Sequence, residues 1–235
     1  MFHFKQFSIE DSKSAMKVGT DAVLLGAWVK LKGAKRILDV GTGCGIIALM
    51  LAQRTDNNVN EVQIEGIEIE ELSVRQAEEN LLETRWCNRV LFHHLSFQKF
   101  TSAYKYDLII SNPPYFINSQ LPPASHRATA RHTNSLTYEE LIRHSIRLLT
   151  IKGKLAVILP YEEGKKFISL ASLKGLFCNR ELAFFSRQGK PQERWLMEFS
   201  FDASPAQKEQ LILHSEDGSW SDDYKNLTKD FYLKI

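Results

Sequence analysis

The residue pattern predicts an α/β fold: a doubly wound, mostly parallel sheet of seven strands with helices on both faces, closed by a C-terminal antiparallel hairpin. Three observations carry this. From Arg36 to Leu173, short apolar runs of strand length alternate with stretches of helical length, the order that builds parallel βαβ units. The first run, Arg36-Ile37-Leu38-Asp39-Val40, passes directly into Gly41-Thr42-Gly43-Cys44-Gly45 and then into apolar residues 46–52, giving a strand, a glycine loop and a helix in succession. Two later runs, 177–186 and 194–201, follow each other as the arms of a hairpin would.

Residues 1–35 form an N-terminal extension, in which Thr20 or Asp21 is placed to cap a helix reaching about Lys30. The second strand, 62–67, ends at Glu68. Residues 72–83 read as a helix with Leu72, Val74, Ala77, Leu81 and Leu82 available for its buried face. A third strand spans 89–93 and a fourth 106–111. Residues 117–134, with Pro122-Pro123, make a polar connection long enough to suggest a substrate-covering loop. The next helix, 137–149, opens with Thr137 and Glu140 in capping-box spacing. A strand at 154–159 stops at Pro160, and a helix runs on to about Leu173. The tail, 216–235, carries no chemical motif. No internal repeat and no linker divides the 235 residues, so one domain is expected.

Composition narrows the class. The chain is 43% hydrophobic and 25% charged, an ordinary balance for a globular protein. No apolar run reaches the length of a membrane span, and Met1-Phe2-His3-Phe4-Lys5 lacks a secretory pattern. Cys44, Cys87 and Cys178 form no C-x-x-C pair, so neither a disulfide framework nor a metal site is expected. A cytoplasmic monomer is the expectation. The net charge of +2 does not mark a nucleic-acid binder, but residues 121–154 carry six cations against two carboxylates. Arg127 and Arg131 lie there in a polar stretch without helical period, where an RNA backbone could be held. Arg143 and Arg147 are four residues apart on a helix and read as a solvated face.

The chemistry concentrates at Asn112-Pro113-Pro114-Tyr115, directly after the fourth strand. Two prolines fix φ and donate no hydrogen bond. An Asn oxygen with a nearby carbonyl can accept both N–H bonds of a planar amine, and a Tyr ring can cover its plane. The glycines at 41, 43 and 45 allow close backbone approach to a ligand. Their spacing is neither that of the dinucleotide fingerprint nor that of a P-loop. Asp39, two residues before the first glycine, would repel a pyrophosphate and favour a cationic ligand. Glu68, at the tip of the second strand, is placed to accept from ribose hydroxyls.

Taken in order, Asp39–Gly45, Glu68 and Asn112–Tyr115 resemble the class I S-adenosylmethionine-dependent methyltransferases that modify planar nitrogens, with a Rossmann-like sheet. With Lys17–Trp28 upstream and no large added domain, the layout resembles the bacterial tRNA-valine adenine N6-methyltransferases over nearly the whole chain. The resemblance implies S-adenosylmethionine as cofactor and tRNA as partner, with no metal. It implies that Val18, Gly19, Thr20 and Asp21 close over the methionine end, and that Asp39 supports the loop and the methionine ammonium. Gly41, Gly43, Gly45 and Glu68 would hold the cofactor. Ser96 stands where the family often has an acidic contact to the cofactor adenine. Asn112 and the Pro113 carbonyl would hold the target amine and Tyr115 would stack on the base, while Phe116 backs that stack or belongs to the core. The same motif serves glutamine side chains in release-factor methyltransferases and guanine N2 in ribosomal RNA enzymes. Those relatives usually carry an extra or duplicated domain for which this chain has no room.

Overall fold

Strands buried on both faces need apolar residues at every position, whereas each face of the sheet still recruits alternate side chains. The computed structural model, which describes residues 1–14, 16–56, 62–114 and 136–234, shows both effects. Its elements in chain order are β1 (Phe2–His3), β2 (Ser8–Ile9), α1 (Thr20–Trp28), β3 (Arg36–Val40), α2 (Ile46–Arg54), β4 (Gln63–Glu68), α3 (Glu71–Leu82), β5 (Val90–His94) and β6 (Tyr106–Ser111). They continue with α4 (Tyr138–Leu148), β7 (Leu149–Pro160), α5 (Tyr161–Leu173), β8 (Phe177–Arg187), β9 (Arg194–Ser200), β10 (Gln207–His214) and α6 (Asp222–Thr228).

The main sheet has the order β10-β8-β9-β7-β6-β3-β4-β5, while β1 and β2 pair separately. β3 pairs in parallel with β4 on one side and β6 on the other, and β5 and β7 extend that parallel region. β9 runs antiparallel between β7 and β8. Alternate side chains sort to opposite faces. Ile37, Leu108, Ile110, Ala156 and Ile158 join one core with α1, α2 and α3. Leu38, Ile109, Leu155, Val157 and Leu159 join the other with α4 and α5. α2 is covered from all sides, with Ile46 to Gln53 all buried, which explains why its sequence is apolar all round.

Four departures from the sequence reading have physical causes. The sheet has an eighth strand, β10, parallel to β8. Its Gln207-Lys208-Glu209-Gln210 start is exposed and Leu211 is its buried apolar residue, so no hydrophobic alternation announces it. β7 begins five residues earlier than the apolar run, with a register shift opposite the start of β6. Helix α1 is capped at Gly19 without a side-chain hydrogen bond, so neither Thr20 nor Asp21 caps it. On α3, Leu72 and Leu82 are exposed, while Ser73, Gln76 and Asn80 are buried with Val74, Ala77 and Leu81. Those polar residues stitch the N-terminal segment down. Asn80 accepts from Glu10 N and donates to the carbonyls of Glu10 and Cys44. Gln76 accepts from Lys13 N at 3.3 Å, and the Ser14 and Ser73 hydroxyls lie 3.2 Å apart. The capping box at Thr137 and Glu140 is formed as the spacing predicts.

Buried charge holds the sheet's far side together. Arg180 donates to Glu209 at 2.7 Å, to Glu198 at 3.1 Å and to the Trp28 carbonyl at 3.2 Å. Its guanidinium also stacks 4.0 Å from the Trp28 ring centroid. Glu198 is 1% exposed, and without Arg180 it keeps, among the described residues, only the Lys30 N–H at 2.8 Å and the Lys154 ammonium at 3.6 Å. Arg180→Leu is expected to cost about 3 kcal/mol in urea unfolding, and adding Glu198→Leu should recover much of that loss. Equal midpoints for Arg180→Leu and wild type would contradict this account.

Candidate active site

An open parallel sheet leaves a crevice where successive connections depart to opposite sides, at the carboxyl ends of the strands. Here that point lies between β3 and β6, which pair with Val40 opposite Ser111. The loop after β3 and the Asn112-Pro113 segment after β6 therefore emerge side by side. Between them lies a cavity of about 300 Å³, bounded by Gly41, Ile67–Glu70, Leu95–Gln98 and Ser111–Pro114. A smaller recess of about 60 Å³ runs from it under α1, bounded by Lys17, Ala22, Gly41–Cys44 and Ile46–Ile47. Met16, Gly41, Glu68 and Asn112 border both lobes.

The glycine loop is pinned by the end of β4. Gly41 N and Thr42 N both donate to the Ile67 carbonyl, at 2.8 and 3.0 Å. Gly43 N donates to Glu68 Oε2 at 3.0 Å. Gly45 sits at φ +86°, where a Cβ would lie 3.0 Å from Phe92 and 3.2 Å from Ala77, so both conformation and crowding demand glycine. At Gly41 (φ +74°) the demand is different. A Cβ there would meet nothing within 4 Å, and the space it would enter is the cleft.

Asp39 is fully buried at the root of this loop and accepts from the Thr42 hydroxyl at 2.7 Å. Its Oδ1 has no hydrogen-bond partner among the described residues. Burial raises its pKa to about 7, helped by the nearby Glu68 charge, while the Thr42 hydroxyl and the Ala48 amide oppose the shift. Glu68 accepts from Ile69 N and Glu70 N through one oxygen and from Gly43 N through the other. Across the crevice, the Ser111 hydroxyl donates to the Val40 carbonyl at 2.8 Å, fixing β6 where Asn112 leaves it. Pro113 is buried and Pro114 exposed.

The far wall contains a residue that no motif singles out. Gln98, in the short turn Phe97–Lys99, borders the cavity beside Ser96. Its Nε2 donates to Glu140 Oε2 at 3.3 Å. The Thr137 backbone N–H holds the Glu140 carboxyl below its ordinary range, so Glu140 accepts only. The Gln98 amide is therefore oriented, with its carbonyl oxygen directed away from Glu140. Met16 and Phe97 are further lining residues without a sequence signal.

The structure brings Gly41, Gly43, Glu68, Ser96, Asn112 and Pro113 to the two lobes of one crevice, with Asp39 buried beneath the loop and Gly45 behind it. On the α1 side the recess is bordered by Met16, Lys17 and Ala22. Of the neighbouring residues expected there, Val18 packs on the core and its amide donates to Asp11 Oδ2, Gly19 caps α1 and Thr20 opens it, and Asp21 pairs with Arg194 at 2.8 Å. Tyr115, Phe116, Arg127, Arg131 and the loop 117–134 lie outside the described residues. Arg143 and Arg147 are exposed, and Arg147 also donates to the Phe100 carbonyl. No group of three potential metal ligands occurs among the described residues, and no helix there is long and apolar enough to cross a membrane.

A family model for the methyltransferase small domain matches residues 12–184. Among solved structures, a predicted O-methyltransferase of Agrobacterium tumefaciens aligns with a TM-score of 0.69 at 18% identity, over 90% of this chain and 96% of that one. Fold and family model together define a class I S-adenosylmethionine-dependent methyltransferase. A tRNA1(Val) (adenine(37)-N6)-methyltransferase of Tolumonas auensis is 43% identical over 234 residues, 100% of this chain and 97% of the relative. One of the same name from Trichodesmium erythraeum is 45% identical, over 99% of this chain and 98% of the relative. The chain belongs to the tRNA1(Val) (adenine(37)-N6)-methyltransferase family.

The cleft fits that cofactor. Its volume suits a small ligand, open space adjoins the Gly41 backbone, and the Glu68 carboxylate borders both lobes. A carboxyl pKa raised by burial means that the fold favours neutral Asp39. Its contribution to stability is thus fullest below the unfolded pKa of about 3.9 and is lost as pH rises towards 7. Asp39→Asn, which can still accept from Thr42, should lack that loss. The melting temperature of the ligand-free variant relative to wild type should rise by several degrees from pH 5 to pH 8. A pH-independent difference would contradict the shifted pKa.

Proposed function

We propose that the protein methylates the exocyclic N6 amine of adenine 37 in tRNA1(Val), as a monomer in the cytoplasm. The observation that carries this reading is the emergence of Asn112 on the rim shared by both lobes of the cofactor cleft, with Pro113 beside it lining the larger lobe. The full-length likeness to relatives bearing that activity in their names supports it.

An adenine amine is conjugated with its ring and is a poor nucleophile. The Asn112 side-chain oxygen and the Pro113 carbonyl accept its two N–H bonds, which favours the more tetrahedral, reactive nitrogen. Two consecutive prolines keep those acceptors from rearranging, so the acceleration comes from orientation and preorganised dipoles. The cofactor, when bound, supplies a sulfonium methyl with a neutral thioether as leaving group. Tyr115 stacks on the flipped base. Glu68 already accepts three amide hydrogen bonds. A carboxylate has about four acceptor positions, so Glu68 takes one ribose hydroxyl directly. Ser96 and the oriented Gln98 carbonyl face the cofactor's adenine.

The test uses labelled S-adenosylmethionine with unmodified total tRNA, followed by digestion to nucleosides. N6-methyladenosine is the expected product. Label in a release factor instead, with tRNA unlabelled, would overturn the substrate reading. Asn112→Ala should lower turnover by about 100-fold or more while the Kd for S-adenosylhomocysteine stays within about threefold. Near-full turnover in that variant would remove the acceptor role. Glu68→Gln keeps the shape but loses the charge. Its S-adenosylhomocysteine affinity should fall about 10- to 100-fold, the worth of a charge-assisted hydrogen bond, as read by calorimetry.

A further inference from the structure

The register of the sheet places the β8–β9 turn on the same edge as the acceptor residues. β7 runs parallel to β6, with Ser111 opposite Val157, and ends at that edge with Pro160 opposite Arg194 of β9. Arg194 in turn lies opposite Phe184 of β8, which ends three residues on at Arg187. β9 and β8 are the second and third strands out from β6. Through Val157 and Met197, Ser111 is level with Glu181 of β8, so Arg187 lies three strands across and five residues beyond the level of Asn112, about 20 Å away at about 4.8 Å per strand and about 3.3 Å per residue.

The turn is fixed by its own bonds. Gly189 takes φ +73°, Lys190 N donates to the Arg187 carbonyl at 3.2 Å, and Glu193 N donates to the Phe184 carbonyl at 2.9 Å. At its base, Arg194 Nε donates to Asp21 Oδ2 at 2.8 Å, which ties the turn to the helix that roofs the cofactor recess. The cations around this edge differ in their engagement. Lys165 and Lys166 pair with Glu162 and Glu163, and Lys17 donates to the carbonyls of Asp11 and Ser12. Arg187 and Lys190 are exposed and, among the described residues, have no ion pair and no side-chain hydrogen bond. Two unneutralised cations on a fixed turn at the same end of the sheet as the acceptor rim form a site for two neighbouring phosphates.

We propose that the β8–β9 turn docks the substrate's RNA backbone, with Arg187 and Lys190 on phosphates a few nucleotides from the target; this rests on the tRNA reading above. Binding of a tRNA1(Val) transcript would be measured against salt for wild type, R187E/K190E and K32E/K152E. The last pair makes the same charge change at exposed positions on the opposite edge of the sheet. For R187E/K190E the expected results are an affinity at least tenfold weaker near 0.1 M salt, a salt slope smaller by about two, and an unchanged Kd for S-adenosylhomocysteine. K32E/K152E should keep the wild-type slope. An R187E/K190E slope and affinity matching either wild type or the K32E/K152E control would overturn the docking role while leaving the tRNA reading intact. A wild-type protein that binds S-adenosylhomocysteine but neither binds nor labels tRNA would overturn both.

Discussion

The site depends on one constraint: the backbone after β3 must stand open to a ligand and still not move. Glycines provide the openness, and rigidity has to come from elsewhere. It comes from the end of β4, where the Ile67 carbonyl and the Glu68 carboxylate take the amides of Gly41, Thr42 and Gly43. Beneath them Asp39 and Thr42 close the loop on itself. A buried carboxylate is a costly strut, and the raised pKa of Asp39 is the sign of that cost. The fold bears the cost at the carboxyl end of a central strand, where a ligand's charge can reach it.

Around that loop, the two faces of the sheet divide the work. One face carries α1, α2 and α3, of which α1 and α2 wall the recess with the N-terminal segment. The other carries α4 and the 97–99 turn, joined through Gln98, Glu140 and Thr137. The acceptor strand β6 lies between them, locked to β3 by Ser111. The two lobes of the cleft are thus walled by elements on opposite sides of the sheet, and Asn112 stands on the rim they share.

Much of this was legible in the residues. The glycine loop, Glu68 and Asn112-Pro113 could be placed because strand-ending motifs inherit their position from the topology: once the strands are parallel, their carboxyl ends must converge. The α3 face could not be read, because Leu72 and Leu82 satisfy helical periodicity while the helix turns Ser73, Gln76 and Asn80 inward to hold a distant segment. β10 could not be read either, since a polar edge strand held by Arg180 and Glu209 has no apolar alternation to reveal it. Gln98 was silent for a third reason. An amide acquires direction only from its partner, and Glu140 lies 42 residues away.

The stitching of the N-terminal segment bears on how the chain reaches its native state. Phe4 bridges to Tyr232 and Lys5 N donates to the Phe231 carbonyl, while Glu10 meets Asn80. Contacts of such sequence separation close late, because their loop entropy is repaid only once both ends are anchored. During vectorial synthesis the segment near Phe4 leaves the ribosome long before its partner near Phe231 exists. The cofactor recess, walled in part by that segment's continuation through Met16 and Lys17, is therefore among the last features completed, and a nascent chain can form its sheet before it has a finished place for its cofactor.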